Sequence, residues 1–170
     1  MKRVLALDQA SRTTGWAVFE DKNLVTFGKF TATEEDIGER LYEIRRHVER
    51  LILDYSIDEV VFEDIQLQNN VLNNVQTFKV LAEVFGIIDE LLTEKKIPHI
   101  AVLASSWKSS LSIKGKTRPE QKRNAQAYVE KTYGVKATQD ESDAICIGSH
   151  YTKKNAHADN IVDGGFSWSI

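Results

Sequence analysis

Two short apolar runs each end on an acid, and this limits the possible folds more than any other feature of the chain. Val4-Leu5-Ala6-Leu7 closes at Asp8, and Val60-Val61-Phe62 closes at Glu63. Runs this short suit buried strands better than helices, so each reads as a buried strand ending in a carboxylate. In an open α/β sheet, ligands sit at the carboxyl ends of strands, especially where neighbouring strands diverge. Two acids brought together there repel each other unless cations lie between them.

The other elements follow from periodicity and punctuation. Thr14–Glu20 and Leu24–Thr31 read as strands joined by the polar turn Asp21-Lys22-Asn23, giving an antiparallel meander with the first strand. Thr33-Glu34-Glu35-Asp36 opens a helix whose apolar positions (Ile37, Leu41, Ile44, Val48, Leu51, Ile52) recur at helical spacing. The strand 57–63 follows, then a polar stretch from Gln66 to Asn74. Residues 75–94 read as a helix apolar nearly all round, which needs two partners, such as its own sheet and another subunit, with deep burial in the monomer as the competing reading. A strand at 98–103, a polar and basic loop from Trp107 to Lys116, and a helix over 119–133 stopped by Gly134 come next. A last helix spans 140–151. Residues 153–170 read as a tail or loosely packed segment. The order βββ-α-β-α-β-α-α describes one α/β domain with a mixed sheet, placed at residues 1–152.

At 170 residues the chain is long enough for a real core. Its single cysteine, Cys146, excludes an internal disulfide, and its apolar neighbours mark it as a small buried hydrophobe. The N-terminus is too short and too soon acidic for a signal peptide, and no run approaches membrane-spanning length, so a cytoplasmic protein is expected. The net charge of −3 hides an uneven distribution: residues 107–136 carry eight Lys/Arg against two Glu. One basic stretch in an acidic chain suits either a polyanion contacted at a defined place or a solvated helix face, and charge alone does not separate the two.

Asp140 and Asp143 stand three apart, on one face of the last helix. Helix capping explains Asp140 and its neighbour Glu141 without a ligand role, which makes Asp140 the weakest of the set and leaves Glu141 as its substitute. It explains Asp143 less well, because that residue leads into Ala144-Ile145-Cys146-Ile147 and a carboxylate there needs a partner. Asp8, Glu63, Asp140 and Asp143 are therefore the candidate catalytic and metal-ligating residues. Oxygen donors without a His/Cys cluster suit Mg²⁺ or Mn²⁺ rather than zinc, and two ions per site suit phosphodiester cleavage. The four histidines lack zinc-ligand spacing. His150, seven residues after Asp143, shares its helix face and is a candidate acid/base accessory.

The segment Asp8-Gln9-Ala10-Ser11-Arg12-Thr13-Thr14-Gly15-Trp16 resembles the first motif of RuvC-type Holliday-junction resolvases, Asp-x-Gly-Ser-x-x-Thr-Gly followed by an aromatic. Only Ala10 departs from it. Glu63 matches the family's second acid, and Asp140-x-x-Asp143-Ala144 its closing pair, so the resemblance spans about residues 3–152. It implies a ribonuclease H-like fold, with a five-stranded mixed sheet and helices on both faces. It also implies a homodimer that cuts four-way or branched DNA with Mg²⁺. Lys108, Lys114, Lys116, Arg118, Lys122 and Arg123 become candidate DNA-backbone contacts, and Trp107 a packing or stacking residue. Three residues after Glu63, where the bacterial enzymes carry an aromatic that can wedge into the junction, stands Gln66. A looser branched-DNA preference, as in phage-encoded relatives, is the expectation. Flaps or RNA–DNA hybrids are the alternative substrates, and a non-catalytic branched-DNA binder the alternative class.

Overall fold

The structure, a computed structural model, describes residues 1–66 and 71–162; the side chains of 71–74 and 156–162 fall outside that description. Five strands, β1 (Arg3–Asp8), β2 (Thr13–Glu20), β3 (Asn23–Thr31), β4 (Glu59–Glu63) and β5 (His99–Val102), form one sheet in the order β3-β2-β1-β4-β5. β1, β2 and β3 make the antiparallel meander, while β4 and β5 join parallel to β1. The mixed sheet is thus as the sequence implies.

Side chains alternate across β1, and each set meets helices. Val4 and Ala6, with Ala17, Phe19 and Val61, face α4 (Arg118–Tyr133) and α5 (Gln139–Val162). Leu5 and Leu7, with Val18, Val60 and Phe62, face α1 (Ile37–Asp54) and α2 (Val71–Glu94). Because both faces are covered, the central strands read as unbroken apolar runs rather than as an alternating pattern. Cys146 is wholly buried in the first of these cores, and burial pushes its thiol up.

The helix ends follow local chemistry. The Asp36 side chain accepts the Glu39 N–H at the start of α1, and Thr117 does the same for Glu120 at the start of α4. Gly134 stops α4 in the left-handed conformation at φ 69°. At the start of α5, Glu141 Oε2 accepts the Thr138 N–H at 2.7 Å, and the Thr138 carbonyl accepts the Ser142 N–H.

Three boundaries differ from expectation. The basic segment expected as a loop contains a short helix, α3 (Ala104–Ser110). Its serines are poor helix formers, and Leu103 caps it without a side-chain hydrogen bond, so local sequence gives no helical signal. The wholly buried Trp107 anchors it instead. α5 continues past Tyr151 to Val162, so residues 153–162 extend a helix rather than begin a tail. α2 begins at Val71, inside the polar stretch expected as a connection. Residues 67–70 of that stretch and the expected tail at 163–170 lie outside the described residues.

Candidate active site

Register brings the two strand-end acids together. β1 and β4 run parallel with Leu7 beside Phe62, so Asp8 and Glu63 follow at the same edge of the sheet. The backbone ladder is then prolonged by a side chain. Gln9 Nε2 donates to the Glu63 carbonyl at 2.5 Å, and Gln9 Oε1 accepts the Glu63 N–H at 3.2 Å. The amide imitates one more strand residue and fixes the Glu63 main chain.

The other two acids arrive on α5, and a glycine determines how close they come. Asp8 pairs with Gly15 across the β1–β2 ladder. A Cβ on Gly15 would lie 2.0 Å from the Asp140 carbonyl oxygen and 2.4 Å from its carbon. The first turn of α5 therefore sits directly on the bare backbone of β2, an approach that only glycine permits. Asp8, Glu63, Asp140 and Asp143 all line one cleft of about 700 Å³. Glu141, tied to its cap, does not line it.

The electrostatics are those of crowded carboxylates. Burial pushes the Asp8 carboxyl well above the usual range, and the charges of Asp143 and Glu63 add to this. Burial also raises Glu63, against a hydrogen bond from Trp107 Nε1 to Glu63 Oε2 at 2.9 Å. Asp143, only 9% exposed, is raised by burial despite Lys122, whose Nζ lies 3.0 Å from its Oδ2. Burial opposes the charge on Lys122, but Asp143, Asp8 and Asp140 together hold its ammonium above its ordinary value.

The basic residues fall into two groups. Lys108, Arg118 and Lys122 line the cleft with the acids. Lys114, Lys116 and Arg123 are exposed and do not line it, so they stand apart on the α3–α4 connection and on α4. Gln66 is exposed and lines the cleft, flanked by Thr77, Phe78 and Leu81 of α2. His150 lies outside the cleft, paired through Nδ1 with Ser110 Oγ at 2.5 Å, and burial lowers its pKa. Gln9 is a site residue that sequence reasoning missed, and Trp107, read as packing or stacking, packs in the core and also donates to Glu63. Gln9 carries no sequence signal. Trp107 carries one, because a lone indole in a serine-rich stretch needs both burial and an N–H acceptor.

An all-oxygen donor set at the carboxyl ends of parallel strands fits a hard divalent cation. The burial that raises Asp8, Glu63 and Asp143 is what such an ion would offset. Among the described residues no three His, Cys, Asp or Glu side chains stand close enough to hold one ion as placed. At Asp143 the Lys122 ammonium supplies the positive charge.

The mixed sheet in the order β3-β2-β1-β4-β5 with helices on both faces is the ribonuclease H-like fold, and one cleft gathers the four acids with Lys108, Arg118 and Lys122. The chain belongs to the RuvC family: the model described as "Crossover junction endodeoxyribonuclease RuvC" matches residues 4–150. It is a family of metal-dependent nucleases. The crossover junction endodeoxyribonuclease RuvC of Ehrlichia chaffeensis is 28% identical over 161 residues, covering 90% of this chain and 99% of that protein. That of Trichlorobacter lovleyi is 28% identical over 152 residues, covering 85% and 82%. Among solved structures, T. thermophilus RuvC in complex with Holliday junction substrate superposes with a TM-score of 0.72 at 16% identity, covering 92% of this chain and 96% of that one. A yeast mitochondrial Holliday junction resolvase gives 0.65 at 14% identity, covering 95% and 82%. These structural likenesses carry the fold. Among the described residues no helix is long and apolar enough to cross a membrane.

Proposed function

We propose that this chain is a homodimeric endonuclease that resolves four-way DNA junctions, using Mg²⁺ or Mn²⁺, with two ions in each site. The observation that carries this reading is the cleft itself, where Asp8, Glu63, Asp140 and Asp143 meet Lys108, Arg118 and Lys122. Asp8 and Glu63 would hold the metal from the sheet, and Asp143 and Asp140 from α5. Bound there, divalent ions supply an activated water and charge stabilisation for the leaving oxygen.

The chain's own residues handle the substrate. Lys108 and Arg118 neutralise phosphate on the wall of the cleft, and Lys114, Lys116 and Arg123 extend the basic path beyond it. Lys122 balances the Asp143 charge and lines the same cleft, where its ammonium would also meet a phosphate. Gln66, exposed beside Glu63, offers hydrogen bonds and no ring to stack on a base, which supports a branched-DNA preference with relaxed sequence selectivity. We place the nuclease unit at residues 1–152, with α5 continuing beyond it to Val162. A dimer through α2 is supported by Val75, 52% exposed, and by the partly exposed Phe78, Val80 and Leu81 next to it.

The test is cleavage of a synthetic four-way junction in Mg²⁺, with light scattering to give the oligomeric state. Paired nicks in symmetric strands, lost in Asp8→Asn and Glu63→Gln, are the expected result. Cleavage retained in both variants overturns the mechanism. Equal cutting of a junction and an RNA–DNA hybrid overturns the substrate assignment alone.

A further inference from the structure

We propose that Trp107 is a positioning residue for Glu63, holding that carboxylate ready for a divalent ion. The inference rests on the metal-dependent reading above and assigns a role to a residue outside the acidic set.

Glu63 is held at both ends. Its main chain is clamped by the Gln9 amide, through Nε2 to its carbonyl and Oε1 from its N–H. Its carboxylate accepts the Trp107 Nε1–H at 2.9 Å on Oε2. An indole N–H can only donate, so it favours the ionised carboxylate, and it satisfies one of about four acceptor positions. The rest stay available to an ion.

Trp107 is itself fixed. It is 1% exposed, packed in the core between the sheet, α4 and α5. Lys108 Nζ lies 5.2 Å from its ring centroid, and Ser110 Oγ donates to its carbonyl at 3.2 Å. An indole this rigid holds the carboxylate in one rotamer, whereas a free glutamate samples several. Plain packing does not account for the arrangement, since phenylalanine would fill the core without an N–H to satisfy. Groups that orient a metal ligand from behind typically contribute about 10–100-fold to metal affinity or activity.

The experiment is a double-mutant cycle on the full chain without DNA, reading Mn²⁺ affinity by calorimetry. Trp107→Phe keeps the ring and removes the donor, and is expected to weaken Mn²⁺ about tenfold or more. In a Glu63→Ala background the same change is expected to do nothing further. An unchanged affinity in Trp107→Phe, or an equal loss in the Glu63→Ala background, overturns the inference. If Trp107→Phe does not fold, the wild-type indole N–H resonance decides. Mg²⁺ is expected to shift the Trp107 signal, and a Trp107 signal unmoved at saturating Mg²⁺ overturns the proposal. Wild type that binds no Mn²⁺, or Glu63→Ala that binds it normally, fails the metal reading itself.

Discussion

Replacing Gly15 with alanine adds one methyl group several bonds from any catalytic atom, yet it should disable the site. The new Cβ would lie 2.0 Å from the Asp140 carbonyl oxygen, against a floor of 3.0 Å for real contacts. The obstacle is helix backbone, so no side chain can swing away. The first turn of α5 must retreat by about 1 Å, carrying Asp140 and Asp143 away from Asp8 and Glu63. A misplacement of about 1 Å costs about 10²-fold in rate, and overpacking costs about 1–3 kcal/mol of stability. Gly148→Ala is the matched control. It lies on the same helix, and its Cβ would meet Phe19 Cε2 at 2.2 Å, deep in the core and away from the acids. Single-turnover junction cleavage well below the melting temperature, alongside urea unfolding, separates the two. Both variants should lose stability, but only Gly15→Ala should lose about 10²-fold in cleavage, with Gly148→Ala losing less than tenfold. A folded Gly15→Ala protein cleaving within twofold of wild type would refute the claim that the glycine sets the position of the acids.

Asp8→Asn should raise thermal stability in chelator at pH 8 while abolishing cleavage. Between the unfolded carboxyl value, about 3.9, and its raised folded value, the native state binds more protons, so stability falls as pH rises across that window and stays reduced above it. The melting temperature of the variant should therefore exceed wild type by a few degrees at pH 8, converge with it near pH 4, and lose its lead when Mg²⁺ is added to wild type; an equal or lower value at pH 8 contradicts this. Glu141→Ala should cost about 0.5–1.5 kcal/mol in urea unfolding through the lost hydrogen bond to the Thr138 N–H and keep cleavage, whereas Asp140→Asn should keep its fold and lose cleavage. Lys114→Ala with Lys116→Ala should weaken junction binding in Ca²⁺ and flatten its salt dependence by about 0.9 for each phosphate no longer neutralised, leaving the Mg²⁺ requirement unchanged; an unaltered slope removes both lysines from the DNA path.

Much of this architecture was legible because burial writes itself into sequence. β1 and β4 are apolar on both faces and end on acids, so their adjacency and the location of the site followed from the covered sheet. Gly134 marked the end of α4, and the acidic run ending at Asp36 the start of α1, because both act locally. What could not be read depended on distant contacts. α3 exists because Trp107 finds both a core and the Glu63 carboxylate, neither visible in Ala-Ser-Ser-Trp-Lys-Ser-Ser. The choice between Asp140 and Glu141 as the cleft-facing acid turns on Thr138, which draws the Glu141 carboxylate away. Lys122 looked like one cation in a basic stretch, and only the α4–α5 packing turned it onto Asp143.

The placement of α5 has a consequence in time as well as in space. This helix carries Asp140 and Asp143, and it also supplies the core for one face of β1 and β2. A growing chain that has emerged only through α4 already displays Asp8, Glu63 and the basic segment, but lacks both the remaining acids and the packing that orders the first strands. On the proposed roles of the four acids, cutting power and structural completion would arrive in the same folding step.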